Sequence, residues 1–262
     1  LAILEQEAIF SDGDQNALFR KHYGLDTSVA FSLPVMIVEG VPPQDAQYPS
    51  SEVSPAVSAS CLDKSLSEEE FIRCGFALVH ETGSLEYCPF LPAGRVFLRA
   101  AVAARAMLAQ VQAVRPELKL TELVPEQLIF GGEGLAGMGA KMALASHEDA
   151  VAAMALGSEL VDVENLAWLI DSVWSGEAEG TWLSADMLSE SLATDLGKSH
   201  ADIYDIMRFS QALTGKRLLI GVGTNDPRFP LGVTDMYSKF LPAEQILIYA
   251  DNADKGMGDA RY

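Results

Sequence analysis

The sequence predicts an α/β fold with a mostly parallel sheet. Short apolar segments that do not alternate with polar residues are separated by segments with helical spacing. Apolar runs of this kind are typical of parallel strands buried on both faces. The 262 residues are enough for one such domain with a large core. We therefore expect helices on both faces of the sheet and a helical excursion over the strand ends.

Six strands are predicted by short apolar or β-branched runs, several of which close on glycine. They fall at residues 33–40, 75–80, 127–130, 151–156, 216–223 and 245–250. Helices are predicted at 92–114, where many alanines precede Pro116, and at 138–145, 161–213 and 233–240.

The chain is predicted to divide at residue 33. Residues 1–27 are acidic with helical spacing, so 1–32 are expected to form an N-terminal helical or loop extension. Residues 33–262 form the α/β domain, with a helical insertion at about 161–213. This insertion holds Trp168 and Trp174, together with Trp182, and is expected to pack over the sheet.

The charge balance excludes several kinds of partner. Lys and Arg number 18 against 37 Asp and Glu, which leaves a net charge of −19. Such a field repels phosphate backbones and anionic lipid surfaces, but it admits a basic protein partner. The longest candidate for a spanning segment, 97–114, is interrupted by Arg99 and Arg105, so no membrane-inserting segment is predicted. The dispersed acids, including Glu68-Glu69-Glu70, are expected to form a solvated face.

Cysteine and histidine usage indicates neither a disulfide framework nor a metal site. Cys61, Cys74 and Cys88 are too few and odd in number, although one pair can bridge in an oxidising compartment. His22, His80, His147 and His200 are scattered, and no Cys-x-x-Cys spacing occurs, so neither metal nor cofactor is expected.

The ends of the sequence suggest a compartment and a partner. A start at Leu1 rather than Met indicates processing or truncation, which favours an organelle or an extracytoplasmic location over the cytosol. The stop at Tyr262, soon after the last strand, suggests truncation or a partner that covers the exposed edge.

The glycine-rich turn at 131–137 has two interpretations. One is a dinucleotide fingerprint, whose letters are matched by Gly132, Gly134 and Gly137. Against it, the turn does not open the first βαβ unit, and Glu133 would place an acid next to the pyrophosphate of a bound dinucleotide. The other interpretation is a nucleophile elbow, a sharp strand-to-helix turn with small neighbours. Its apex is then Gly134, which carries no nucleophile.

Four stretches in order resemble the PhoPQ-activated pathogenicity-related proteins, which have an α/β-hydrolase fold. They are Arg105-Ala106-Met107 in the helix before the turn, the turn 132–137, Gly223-Thr224-Asn225-Asp226, and the strand end 249–256. The resemblance covers most of residues 33–258. It implies an α/β-hydrolase-like domain of a degenerate member.

The resemblance places the family's serine at Gly134, its acid at Asp226 and its histidine at Lys255. A serine hydrolase needs a hydroxyl to attack, an imidazole to move the proton and a carboxylate to orient the imidazole. Gly134 has no hydroxyl, and Lys255 is protonated at neutral pH. The triad is therefore vestigial, with Lys255 expected to pair with Asp226. The chain is predicted to be a pseudoenzyme, a structural or interaction subunit.

Alternative uses of these residues stay open. Asn225-Asp226-Pro227 is also an ordinary turn after a strand. His147 is a candidate substitute base, and His80 lies near Ser84. An active esterase or peptidase would need a relocated nucleophile such as Ser84 or Ser158.

Overall fold

The computed structural model describes residues 2–6, 35–39, 47–48, 61–63, 65–119, 127–157, 163–174, 185–226 and 231–253. Six strands in it form one sheet in the order β2-β1-β3-β4-β5-β6, and every neighbouring pair is parallel. The strands are β1 (Ala2–Gln6), β2 (Val35–Glu39), β3 (Leu128–Glu133), β4 (Ala150–Leu156), β5 (Arg217–Gly223) and β6 (Glu244–Ala250). The predicted parallel α/β sheet is confirmed.

Seven α-helices are found in the same ranges. They are α1 (Glu68–Thr82), α2 (Phe90–Val114), α3 (Leu135–Ser146), α4 (Val163–Trp174), α5 (Ala185–Leu192), α6 (Asp195–Tyr204) and α7 (Leu231–Ser238). Three of them, α4 to α6, make up the predicted helical excursion, and α2, α3 and α7 match the other predicted helices. Among the described helices, none is both long enough and apolar enough to cross a membrane.

The strand predicted at 75–80 is wrong, because these residues lie in the middle of α1. A capping box starts this helix: Ser67 Oγ accepts from the Glu70 N–H at 3.2 Å, and Glu70 Oε2 accepts from the Ser67 N–H at 2.9 Å. Ile72, Phe76 and Val79 are buried with helical spacing. The apolar run at 75–80 therefore consists of residues on the buried face of α1 and the residues adjacent to them in the same helix.

The helical pattern predicted at the start of the chain is wrong for residues 2–6. They form β1, which pairs in parallel with β2 on one side and β3 on the other. Two hydrogen-bonded ladders outweigh a weak local helical preference, so tertiary context decides here. Residues 7–32 lie outside the described residues, and the rest of the domain division stays a prediction.

The core lies between the sheet and the helices, with buried residues from α1 and α2 as well as from the helices that follow β3, β4 and β5. Phe97 of α2 packs edge-on against Phe130 of β3, with ring centroids 5.5 Å apart. Leu218, Ile220 and Val222 of β5 belong to the same buried cluster. The chain crosses from β3 to β6 in one direction, and right-handed crossovers place the intervening helices on one face.

A smaller buried cluster packs around the lower-numbered part of α1. It contains Tyr48, Cys61, Leu66, Cys74 and Leu78. Cys61 and Cys74 form a disulfide bond, so one pair does bridge, whereas Cys88 is a buried free thiol.

Candidate functional site

The strand order turns at the junction of β1 and β3. From β1 the chain crosses to β2 on one side, and from β3 onwards it crosses to β4, β5 and β6 on the other side. In open parallel sheets, ligand and catalytic sites lie outside the carboxyl ends of the strands at such a switch point. The glycine-rich turn follows β3 directly, so the candidate site is at this position.

Gly134 forms the apex of a sharp turn between β3 and α3. Its backbone has φ 57° and ψ −126°, which residues with a side chain rarely adopt. The Gly134 N–H donates to Leu156 O at 2.9 Å, and Gly134 O accepts from the Met138 N–H at 3.2 Å. The turn has the strand-to-helix form of a nucleophile elbow. Its apex carries no side chain.

The approach of α3 to β3 requires a small residue two positions before the apex. A Cβ added at Gly132 would lie 2.6 Å from the carbonyl carbon of Ala136, closer than real Cβ contacts. This close approach accounts for Gly132, and the positive φ of Gly134 accounts for the glycine at the apex. The match to a dinucleotide fingerprint therefore needs no nucleotide to explain it.

The first backbone N–H of α3 is bonded by a carboxylate. The Leu135 N–H donates to Glu68 Oε1 at 2.9 Å, across a separation of 67 residues. In a nucleophile elbow, the N–H of the residue after the nucleophile is one donor of the oxyanion hole. Glu68 thus places a carboxylate oxygen where an oxyanion would be held, so it is not one of the acids that form the predicted solvated face.

Two loops meet at the carboxyl ends of β5 and β6. The Thr224 N–H donates to Ala250 O at 3.0 Å, and the Asn225 N–H donates to Ala253 O at 2.9 Å. Thr224 Oγ1 also accepts from the Asn252 N–H at 2.8 Å. The two loops therefore lie next to each other, at the same edge of the sheet as the candidate site.

Asp226 lies in the first of these loops and is 5% exposed. Its N–H donates to Gly223 O at 3.2 Å, which closes the turn after β5. Since β4 alone separates β3 from β5, the ends of these two strands are roughly 10 Å apart. Gly134 and Asp226 therefore follow strands that end at the same edge of the sheet. Lys255 lies outside the described residues.

His147 lies at the opposite edge of the sheet from Gly134. It follows α3, whose 12 residues span about 18 Å from the elbow. There, His147 Nδ1 accepts from the Asp149 N–H at 3.2 Å, and its carbonyl accepts from Lys216 Nζ at 2.9 Å. This histidine cannot act as the base for a nucleophile at the elbow.

Ser84 and His80 lie at the other end of α1 from Glu68. Twelve residues of α1, or about 18 Å, separate His80 from Glu68 at the elbow. Ser84 Oγ accepts from the Glu86 N–H at 3.3 Å, and it caps the short helix Leu85–Tyr87. The Nε2 of His80 is buried with no hydrogen-bond partner among the described residues.

A buried histidine that the sequence analysis did not single out lies between α1 and α6. The His200 ring is fully buried, 4.6 Å from the Phe76 ring and 5.0 Å from the Tyr204 ring, centroid to centroid. No described residue bonds to either of its ring nitrogens. Burial, and next the proximity of His80, lowers the pKa of His200 to about 4. The helical spacing Gly197-His200-Ala201-Tyr204 was the signal that this residue faces the core.

The remaining candidate groups in the described ranges include neither a metal-binding cluster nor an activated thiol. His, Cys, Asp and Glu form no group of three there that could hold a metal ion. Burial raises the pKa of the Cys88 thiol to about 12, so the thiolate needed for nucleophilic attack does not form at neutral pH.

No protein-family model and no curated protein sequence matches this chain. Among solved structures, acetyl xylan esterase 1 from Thermoanaerobacterium sp. JW/SL YS485 is similar with a TM-score of 0.50 and 12% identity, covering 97% of this chain and 69% of that one. Est1E from Butyrivibrio proteoclasticus gives 0.42 and 11%, covering 97% and 79%. The acylaminoacyl peptidase of Pyrococcus horikoshii gives 0.37 and 15%, covering 55% of this chain and 22% of the peptidase.

Sequence identities this low support a shared fold and nothing more specific. The strand order, the parallel pairing and the elbow after β3 agree with the similarity to the acetyl xylan esterase. The chain therefore has an α/β-hydrolase-like fold.

Proposed function

We propose that this chain is a catalytically inactive α/β-hydrolase-like protein that serves as a structural or interaction subunit of a larger assembly. The observation that carries the proposal is the elbow, where Gly134 offers no nucleophile and Glu68 bonds the Leu135 N–H. A substrate carbonyl at this turn would meet neither an attacking oxygen nor a free donor from Leu135.

The vestigial triad is part of this proposal. Gly134 and Asp226 follow strands that end at one edge of the sheet, as the resemblance to the PhoPQ-activated pathogenicity-related proteins requires. Lys255 as the third member, and membership of that family, rest on the resemblance of the four sequence stretches. The Cys61–Cys74 disulfide supports an oxidising compartment such as an organelle or the extracytoplasmic space.

An active esterase or peptidase is the competing function, because the fold is shared with such enzymes. It needs a nucleophile away from the elbow, and the two serines named for it are Ser84 and Ser158. Ser84 is engaged in capping Leu85–Tyr87, and Ser158 lies outside the described residues. Cys88 is disfavoured as a nucleophile by its burial and raised pKa.

Hydrolysis of p-nitrophenyl acetate tests the two functions against each other. We expect the wild-type chain to hydrolyse the ester no faster than its Ser84→Ala and Ser158→Ala variants, with all three at the background rate of an unrelated acidic protein. Turnover by the wild type that is lost in either serine variant would establish the competing function.

A further inference from the structure

The start of α1 lies inside a covalently closed loop. Cys61 and Cys74 are bonded across a separation of 13 residues, with their Cα atoms 5.5 Å apart. Cys74 lies in the second turn of α1, so the loop contains the whole first turn of that helix. Glu68, which accepts the Leu135 N–H at the elbow, is a residue of this first turn. The disulfide and the elbow contact therefore act on one short stretch of chain.

Tyr48 adds noncovalent contacts between the two ends of this loop. The Asp63 N–H donates to Tyr48 O at 3.0 Å. The Tyr48 hydroxyl donates to Phe71 O at 3.1 Å, and the Tyr48 ring stacks on the Phe71 ring with the centroids 4.8 Å apart. Cys61 and Cys74 belong to the same buried cluster as Tyr48. The segment that contains Cys61 is thus packed against the first two turns of α1.

The later turns of α1 are fixed in the main core by contacts outside this loop. Phe76 is fully buried and packs against the rings of His200 and Tyr204, with centroids 4.6 Å and 5.2 Å away. Glu68, by contrast, is only partly buried. Helix ends fray first, and local opening begins where the fewest buried contacts are lost. We therefore expect α1 to open from its first turn.

The disulfide opposes this opening. A stretch of chain gains conformational entropy when it unfolds, and it gains less when its two ends are bonded to each other. The same restriction underlies the stabilisation that a disulfide gives to a folded domain. Because residues 61 and 74 stay joined, the opened form of the first turn is disfavoured. The closed form, in which Glu68 bonds the Leu135 N–H, is favoured by the same amount.

We infer that the redox state of the Cys61–Cys74 pair controls the elbow. While the disulfide is intact, Glu68 stays on the Leu135 N–H. Once the disulfide is reduced, the first turn of α1 opens more often and releases that amide. This control is a regulation of the elbow, so its meaning for the protein rests on the proposed function.

The reductant for this step is a dithiol. It gives two electrons and two protons to the disulfide, the S–S bond breaks to leave two cysteine thiols, and the dithiol is itself oxidised to a disulfide. Cys61 is 8% exposed and Cys74 is 3% exposed, so the dithiol reaches the bond when the first turn is open. Cys88 does not exchange with the pair, because burial raises its pKa to about 12 and little thiolate forms at neutral pH.

Hydrogen exchange of the Leu135 amide in the oxidised and the reduced chain tests this control. We expect reduction by dithiothreitol to speed exchange at Leu135 by about tenfold or more. The Gly197 amide is the matched control, since it lies at the start of α6 and donates to the side chain of Thr194 at 2.9 Å, outside the closed loop. Its exchange is expected to stay unchanged.

A Cys61→Ser/Cys74→Ser double variant separates loss of the bond from other effects of the reductant. We expect it to match the reduced wild type at Leu135 and to show no response to dithiothreitol. Exchange at Leu135 that reduction does not speed, or that it speeds equally at Gly197, overturns the inference.

The rate of disulfide reduction measures the same coupling in the reverse direction. If one opening exposes both the amide and the disulfide, weakening the elbow contact also speeds reduction. We expect dithiothreitol to reduce Glu68→Ala about tenfold faster or more than the wild type, and Glu69→Ala at the wild-type rate, as followed by alkylation and intact mass. Equal rates in the two variants contradict the coupling. Neither readout depends on hydrolysis, so failure here leaves the proposed function standing, whereas ester turnover overturns the proposed function alone.

Discussion

Gly134 and Glu68 together determine the chemistry of the elbow. The backbone of Gly134 keeps the strained form in which hydrolases present a serine, with φ 57° and ψ −126°. Glu68 Oε1 lies 2.9 Å from the Leu135 nitrogen and accepts its hydrogen. Because a carboxylate at a helix N-terminus is favoured by the helix dipole, this contact stabilises α3 while it blocks a donor of the oxyanion hole.

Replacing Glu68 tests whether its carboxylate holds the Leu135 amide. We expect Glu68→Ala to speed hydrogen exchange of the Leu135 amide by about tenfold or more, and to lower the free energy of unfolding by about 1–3 kcal/mol, because a hydrogen bond to a charged group is lost. Glu69→Ala is the control, since Glu69 shares the first turn of α1. Equal exchange rates at Leu135 in the two variants would show that Glu68 does not hold this amide.

Among the helices, α1 shows most clearly what local sequence can and cannot predict. Its apolar run at 75–80 is indistinguishable from a buried strand by periodicity alone. The capping box at Ser67 and Glu70 was the signal that a helix begins there. For β1, the deciding interaction is pairing with β2 and β3, which lie more than 30 and more than 120 residues away. No short window of sequence contains that information.

The packing of α6 on α1 predicts an acid-sensitive stability. The His200 ring, buried against Phe76 and Tyr204 and near His80, has its pKa lowered from about 6.5 to about 4. Between these values the unfolded chain binds more protons than the folded chain, so stability is full above about pH 6.5 and falls as pH falls towards 4. The loss attributable to His200 is on the order of 3 kcal/mol.

Urea unfolding of wild type and His200→Phe at several pH values measures this contribution. Phenylalanine fills the aromatic cluster without a titrating group, and the carboxylates contribute equally to both proteins. We expect the free energy of unfolding to fall more for the wild type than for the variant as pH drops from 6.5 to 4. Parallel curves over this range would contradict a buried neutral His200.

The whole molecule combines an α/β-hydrolase-like fold with a strongly negative net charge. Much of the candidate site could be predicted from sequence, because the turn 132–137 and the acid turn at Asp226 have local signatures. The position of Glu68 at the elbow could not be predicted, since it depends on a contact with Leu135, 67 residues further along the chain. The net charge of −19 is spread over the chain and does not indicate where a partner binds.

A basic protein partner is the expectation that this charge supports. We expect a positively charged partner recovered with the native protein to bind more weakly as salt rises, because screening reduces the attraction between opposite charges. Titration at low and high ionic strength measures the effect. Affinity that does not change with salt would show that the acidic surface is not the docking face.

The central claim is that the elbow carries no working nucleophile. The most direct test is to incubate the native protein with a fluorophosphonate probe and to measure its intact mass. The account predicts a mass that stays that of the unmodified chain, since Gly134 has no hydroxyl and the proposed function assigns no activated serine elsewhere. A stoichiometric adduct mapped to any serine would contradict it.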